Sequence, residues 1–185
     1  MDLLLWRHAE AEPARPGQTD LERRLTHHGE AQARRMAHWL KKRRARCEIA
    51  DDANHAPHTT LADELHLIVS PATRCQQTAQ ALTNTYTTAN ALKPSAVIDD
   101  ILPLIHPHQR SSQNPRQHNT LLLVGHQPWL GQLAARLLSG DANPQHAAEW
   151  EIKKAAVWWF SLRISDDHNF QQVRLRCVMP PEMTG

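Results

Sequence analysis

The sequence is poor in cysteine and has no long apolar run. Its 185 residues include three cysteines, Cys47, Cys75 and Cys177, and none of them forms a Cys-x-x-Cys pair. Because they are odd in number and widely spaced, we expect free thiols in a reducing cytosol rather than disulfides or a zinc site. No run approaches the length of a membrane span, and the four apolar residues between Asp2 and Arg7 are too few for a signal-peptide core. We therefore predict a cytoplasmic protein without a membrane partner.

A large excess of charge is also missing. The net charge is +2 with histidines neutral, which is too small to indicate a nucleic-acid partner. Basic residues do cluster from Lys41 to Arg46, at the end of a predicted helix, where cations are stabilised by the helix dipole. A nucleic-acid site on this cluster is the alternative, and it would give an affinity that falls steeply with added salt.

The sequence contains no internal repeat and no linker, so its length predicts one domain over residues 1–185. Continuous apolar runs predict buried strands, and helical patterns follow several of them. Two β-rich runs near the end predict an antiparallel hairpin. The predicted strands cover 3–6, 65–69, 96–98, 120–125, 155–164 and 170–179, and a long loop is predicted over 47–63. We therefore expect an α/β fold: a three-layer α/β/α sandwich with a mostly parallel central sheet and an antiparallel edge hairpin.

Three of these strands are followed directly by polar residues. Arg7 and His8 end the first strand, Ser70 to Arg74 follow the second, and His126 follows the strand over 120–125. Ser70 is a plausible cap for the next helix, with Pro71 in its first turn. The carboxyl ends of parallel strands meet at one edge of a sheet, where open α/β folds bind ligands. Two guanidinium groups and two imidazoles meeting there would suit a phosphoryl-transfer site that uses no metal.

The same residues belong to recognisable motifs. They are Arg7-His8, the Ser-Pro-x-x-Arg-x-x-Gln-Thr segment over 70–78, Gly125-His126, and Arg-x-Leu-Thr-x-x-Gly over 23–29. In their order along the chain, these motifs resemble the histidine phosphatase superfamily, which is also called phosphoglycerate mutase-like. The Arg-x-Leu-Thr-x-x-Gly motif and the short chain resemble more narrowly its SixA-type phosphohistidine phosphatases.

The residues alone do not assign roles to the two histidines. The resemblance implies that His8 is the nucleophile, which carries the phosphate as a covalent intermediate, and that His126 is a donor to the transferring oxygens. It also implies that Arg7, Arg74 and His126 bind the phosphate. No cofactor and no metal ion are expected.

The sequence differs from esterases of that superfamily in the residue that would protonate the leaving group. Those enzymes usually supply a glutamate from the pocket rim or an aspartate after the second histidine, whereas here Gln127 follows His126. No glutamate occurs between Gln80 and His126. Asp99 and Asp100 are the nearest possible acids, with His106 and His108 as further candidates, and we take Asp100 as the candidate acid. About 50 residues separate Arg74 from His126, so we expect no large cap and an open pocket. A labile phosphohistidine on a partner protein would tolerate a missing acid.

These observations favour a metal-independent protein phosphohistidine phosphatase. It would act as a monomer on a phosphorelay or phosphotransfer domain. Two alternatives stay open. One is a small-molecule phosphomonoesterase or mutase of the same superfamily with Asp100 as its acid. The other is a phosphate-binding module without turnover, for which a change of His8 to alanine would leave function in cells intact.

Overall fold

The computed structural model describes residues 1–50, 65–105, 120–140, 150–165 and 170–184, with only the backbone for 44–50. The strands are β1 (Asp2–Arg7), β2 (Leu65–Val69), β3 (Thr87–Thr88), β4 (Thr120–Gly125), β5 (Val157–Ile164) and β6 (Phe170–Met179). The helices are α1 (His27–Ala50), α2 (Thr73–Gln80), α3 (Ile98–Ile105) and α4 (Trp129–Ser139). Short 3-10 turns lie at Asp20–Glu22, Asn90–Leu92 and Pro181–Met183.

The six strands form one sheet in the order β3-β2-β4-β1-β5-β6. Strands β1 to β4 pair in parallel, while β5 pairs antiparallel with both β1 and β6. The mostly parallel sheet and the edge hairpin are therefore confirmed. In this register Arg7 lies opposite Gly125, and Val69 lies opposite Val124. The three central strands therefore end at the same level, which brings the residues that follow them to one edge.

Both faces of the sheet are covered by helices, as the continuous apolar runs predict. In β1, Leu4 and Trp6 pack in the core that includes α1 and α2, whereas Leu3 and Leu5 pack in the core that includes α3 and α4. This alternation follows from the two-residue period of a strand. Each large apolar side chain buried in this way contributes roughly 2 kcal/mol of stability. The predicted three-layer sandwich is confirmed.

Two local predictions fail. The strand expected over 96–98 is absent, because Ile98 instead begins α3, and the strand next to β2 is Thr87–Thr88. Asp99 and Asp100 lie in the first turn of α3, where acidic groups favour helix, and Ile101 and Ile105 are buried one turn apart. The loop predicted over 47–63 is wrong over 47–50, since α1 continues to Ala50. The rest of that predicted loop lies outside the described residues.

The described part of the chain contains no helix that is both long and apolar enough to cross a membrane. Cys75 and Cys177 are free thiols; the first is buried and the second partly exposed. The side chain of Cys47 lies outside the described residues.

Gly125, the last residue of β4, leaves space for an aromatic ring. A Cβ atom at this position would overlap the fully buried ring of Trp129 at the start of α4. We therefore expect Gly125→Ala to lower the free energy of unfolding by about 3 kcal/mol, since overpacking forces the backbone or the ring to move. Urea denaturation measures this. Gly140→Ala is the comparison: φ is +69° with open space around it, so only the left-handed backbone costs energy, about 1 kcal/mol. Equal losses for the two variants would contradict this account of Gly125.

Candidate active site

The four predicted site residues lie together at the carboxyl edge of the sheet. Arg7 and His8 end β1, His126 follows β4, and Arg74 projects from the first turn of α2. The ring centroids of His8 and His126 are 5.0 Å apart, and the ring planes are inclined at 58°. The side chains of His8, Arg74 and His126 are therefore in contact, although they come from three separate parts of the chain.

Arg74 lies at the centre of this arrangement and is 3% exposed. Its Nε donates to Nε2 of His8 at 3.3 Å, and its Nη2 donates to Nδ1 of His126 at 3.2 Å. The same guanidinium contacts Asp20 through a carboxylate oxygen at 2.7 Å and through the backbone carbonyl. Because a guanidinium only donates, each of the two histidine nitrogens that it contacts must be an acceptor.

His8 is held as a neutral imidazole whose Nε2 is unprotonated and accepts from Arg74. Its Nδ1 lies 2.7 Å from the carbonyl oxygen of Ala9, so Nδ1 carries the proton and Nε2 does not. Burial lowers the pKa of His8 to about 3, and the cations Arg74 and Arg7 add to this effect, while the Ala9 hydrogen bond opposes it. The unprotonated Nε2 is therefore available as a nucleophile at neutral pH.

His126 has the opposite tautomer. Its Nδ1 accepts from Arg74, so Nε2 carries the proton and donates to Oγ of Ser70 at 2.8 Å. Burial, together with the neighbouring His8 and Arg74, lowers the pKa of His126 to about 2. The Sγ atom of Cys75 is 3.4 Å from the same Nε2, but burial raises the pKa of this thiol to about 12. Cys75 is thus a protonated packing residue and not a nucleophile.

The Arg7 guanidinium forms a hydrogen bond and an ion pair with the loop that precedes β5. Its Nη1 donates to the carbonyl oxygen of Ile152 at 2.6 Å and lies 3.3 Å from a carboxylate oxygen of Glu151. Its Nε is buried and has no hydrogen-bond partner among the residues that the structure describes. A buried donor without a partner costs free energy, and an anion bound beside His8 would satisfy it.

Three residues at the site have contacts that were not predicted from the sequence. Ser70 was expected to cap α2, but α2 begins at Thr73, and the Ser70 hydroxyl accepts from His126 and from the backbone N–H of Ala72. Its position at the end of β2 was the available signal. Asp20 and Arg23 come from the loop after β1, and their side chains pair at 2.9 Å. No sequence pattern placed Asp20 beside Arg74.

The predicted acid Asp100 lies in the first turn of α3 and is exposed. Among the residues that the structure describes, no hydrogen bond or ion pair connects it to the four site residues, so its role stays a prediction. In the same part of the chain, no group of three or more histidines, cysteines and carboxylates has a geometry that could hold a metal ion.

No family model and no curated protein matches this sequence. Solved structures do match the fold. The protein histidine phosphatase SixA complexed with tungstate is 19% identical, with a TM-score of 0.70, and the match covers 98% of this chain and 97% of that one. A mycobacterial glucosyl-3-phosphoglycerate phosphatase is 18% identical, with a TM-score of 0.67 and coverage of 94% and 96%. A phosphoserine phosphatase mutant from Entamoeba histolytica, in complex with phosphoserine, is 16% identical, with a TM-score of 0.61 and coverage of 96% and 95%.

The likeness extends over nearly the whole of each chain, while sequence identity stays low. These neighbours differ in what their names say they act on, from a protein histidine to small phosphate esters. They nevertheless share one arrangement of strands and helices with this protein. The chain therefore has the fold of the histidine phosphatase superfamily.

Proposed function

We propose that this protein is a phosphatase that removes phosphate from phosphohistidine on a partner protein, through a covalent phospho-His8 intermediate. The observation that carries the proposal is the state of His8. Its Nε2 accepts from Arg74 and its ring centroid lies 5.0 Å from that of His126, while Ala9 holds the proton on Nδ1. In this proposal residues 1–185 form one catalytic domain that works as a monomer in the cytoplasm.

The first chemical step is attack of His8 Nε2 on phosphorus. A bond forms between Nε2 and phosphorus, and the bond from phosphorus to the substrate nitrogen breaks. Phosphoryl transfer depends mainly on positioning and on stabilising charge on the phosphoryl oxygens. Arg74 and the unpartnered Nε of Arg7 are the donors that can supply this stabilisation. In the tautomer described above, Nδ1 of His126 carries no proton, so His126 joins these donors after Nδ1 takes a proton from the bound phosphoryl group.

The second step returns His8 to its starting state. Water attacks phosphorus, the bond to Nε2 breaks, and inorganic phosphate forms. Because Nδ1 of His8 keeps its proton through the bond to Ala9, the ring leaves phosphorus as neutral imidazole. No acid is needed for this departure, since imidazole is a far better leaving group than an alkoxide.

The same reasoning supports phosphohistidine as the substrate. Asp20 is the carboxylate in contact with the centre of the site. Its partial burial raises the pKa, but the hydrogen bonds from Arg74 and Arg23 outweigh that effect and hold the pKa below its ordinary value. An ionised carboxylate cannot protonate an alkoxide. A substrate imidazole whose second nitrogen already carries a proton can leave without such help.

Glu151 supports a second candidate function, a phosphatase of small phosphate esters. It lies 3.3 Å from Arg7, and its side chain is 74% exposed. An exposed glutamate beside Arg7 could protonate the oxygen of an ester leaving group. General acid catalysis of this kind raises the rate by about 10²-fold to 10⁴-fold. Glu151 is better placed for this role than Asp100, which has no described contact with the site.

A side-by-side assay distinguishes the two functions. The purified protein is offered a histidine-phosphorylated phosphotransfer domain and, separately, phosphoserine, whose alkoxide leaving group requires an acid. We expect kcat/KM to be at least about 10²-fold higher for phosphohistidine, which is the smallest contribution usually made by a general acid. Release of inorganic phosphate is the measurement in both cases.

Glu151→Gln is the matched variant for this assay, because it keeps the size and polarity of the side chain but cannot donate a carboxyl proton. We expect unchanged turnover of phosphohistidine in this variant. A clear preference of the unmodified protein for phosphoserine, lost in Glu151→Gln, would reject the first function in favour of the second.

A further inference from the structure

The guanidinium of Arg74 has two hydrogen-bonding edges, and they face different groups. The edge formed by Nε and Nη2 faces the two histidines, at 3.3 Å from His8 and 3.2 Å from His126. The edge formed by Nη1 and Nη2 faces Asp20, which accepts through its backbone carbonyl and its carboxylate. Only the first edge faces the space in which a phosphoryl group would lie between the imidazoles.

Asp20 is itself fixed from its far side. Its second carboxylate oxygen accepts from Nη1 of Arg23 at 2.9 Å, and Nε of Arg23 donates to the carbonyl of Glu12 at 2.7 Å. A chain of hydrogen bonds thus runs from the backbone near β1, through Arg23 and Asp20, to Arg74. Such a chain limits rotation of the Arg74 guanidinium about its long side chain.

We propose that Asp20 is a positioning residue that holds one edge of Arg74, so that the other edge is presented to the phosphoryl group between His8 and His126. This inference rests on the proposed function and adds to it a residue that need not touch the substrate. Fixing a flexible group in its reactive orientation before binding reduces the entropy lost when the complex forms.

The carboxylate has two effects that oppose each other. Its hydrogen bonds orient Arg74, which favours phosphate binding. Its negative charge, 2.7 Å from the guanidinium, disfavours a second anion nearby. Asp20→Asn removes the charge and keeps one oxygen, which can accept from Arg74, while its amide nitrogen takes the place of the oxygen that accepts from Arg23. Asp20→Ala removes the charge and both side-chain oxygens. The difference between these two variants therefore isolates positioning from charge.

The test is binding of inorganic phosphate to the full chain, measured by calorimetry, together with kcat for a phosphohistidine domain. We expect Asp20→Asn to bind phosphate at least as tightly as the unmodified protein. Relative to Asp20→Asn, we expect Asp20→Ala to bind about fivefold more weakly and to lose about tenfold in kcat, because a misdirected guanidinium stabilises the transition state poorly. Asp20→Ser, whose shorter side chain cannot span the same distance, should behave like the alanine variant.

Equal phosphate affinity and equal kcat in Asp20→Asn and Asp20→Ala would overturn the positioning role, and the proposed function would stand if the unmodified protein still binds phosphate and turns over. Failure of the unmodified protein to bind phosphate would overturn both. Asp99→Ala is the control, since Asp99 forms an exposed ion pair with Arg136 at 3.5 Å and has no described contact with the site. Thermal denaturation of each variant confirms that the fold is retained.

Discussion

Replacing His8 with alanine is expected to abolish turnover of phosphohistidine, with a loss of about 10⁴-fold or more, because the atom that forms the covalent intermediate is removed. Phosphate should also no longer be trapped on the protein. The measurement is brief exposure to the phosphorylated domain, quenching without acid, and the mass of the intact chain. Unmodified protein should carry one phosphate, and fragmentation should place it on His8.

A matched control for this experiment is His38→Ala, since His38 is an exposed histidine on α1, away from the sheet edge. It should keep both turnover and trapping. Trapping on His126 instead of His8 would reverse the assignment of the two rings. Full activity of the His8 variant in cells, with no phosphate trapped on the unmodified protein, would support a binding module without turnover.

Replacing Arg74 with lysine should lower kcat/KM for phosphohistidine by about 10²-fold to 10³-fold, although the positive charge is kept. An ammonium group donates from a single atom, so it cannot contact His8, His126 and Asp20 from two edges at once. Because Arg74 is buried, the variant should also be less stable, by about 2 kcal/mol, as its partners lose hydrogen bonds. Steady-state kinetics and urea denaturation measure the two effects.

Arg136→Lys is the comparison for Arg74→Lys, because its partner Asp99 is exposed and the ion pair is long, at 3.5 Å. Pairs of this kind contribute little to stability, so we expect no change in either measurement. If Arg74→Lys retained most of the activity, the site would need only the charge of Arg74 and not its planar geometry.

The position of the four predicted site residues could be read from the sequence because it depends on a simple rule. Arg7, His8 and His126 each follow a continuous apolar run directly, and parallel strands end at one edge of their sheet. The register that places Arg7 opposite Gly125 is what this rule requires. Arg74 follows because only one short turn separates the end of β2 from its helix.

Two of the incorrect local predictions concern residues whose structure depends on tertiary contacts. The apolar residues 96–98 have the composition of a strand, but Ile98 instead begins a helix that buries Ile101 and Ile105. Ser70 has the composition of a helix cap, but its hydroxyl contacts His126, which is 56 residues away. In both cases tertiary packing decided between two local structures that the sequence permits equally.

By itself the sequence determined the three layers, the edge hairpin and the set of two guanidinium groups and two imidazoles, since these follow from periodicity and from what ends each strand. Only the tertiary structure decided the state of these groups. The proton positions on His8 and His126 depend on Ala9, Arg74 and Ser70, and their neutral forms depend on burial. Asp20 approaches Arg74 across 54 residues of sequence, and no local pattern encodes a contact between a loop and a helix that are far apart in the chain.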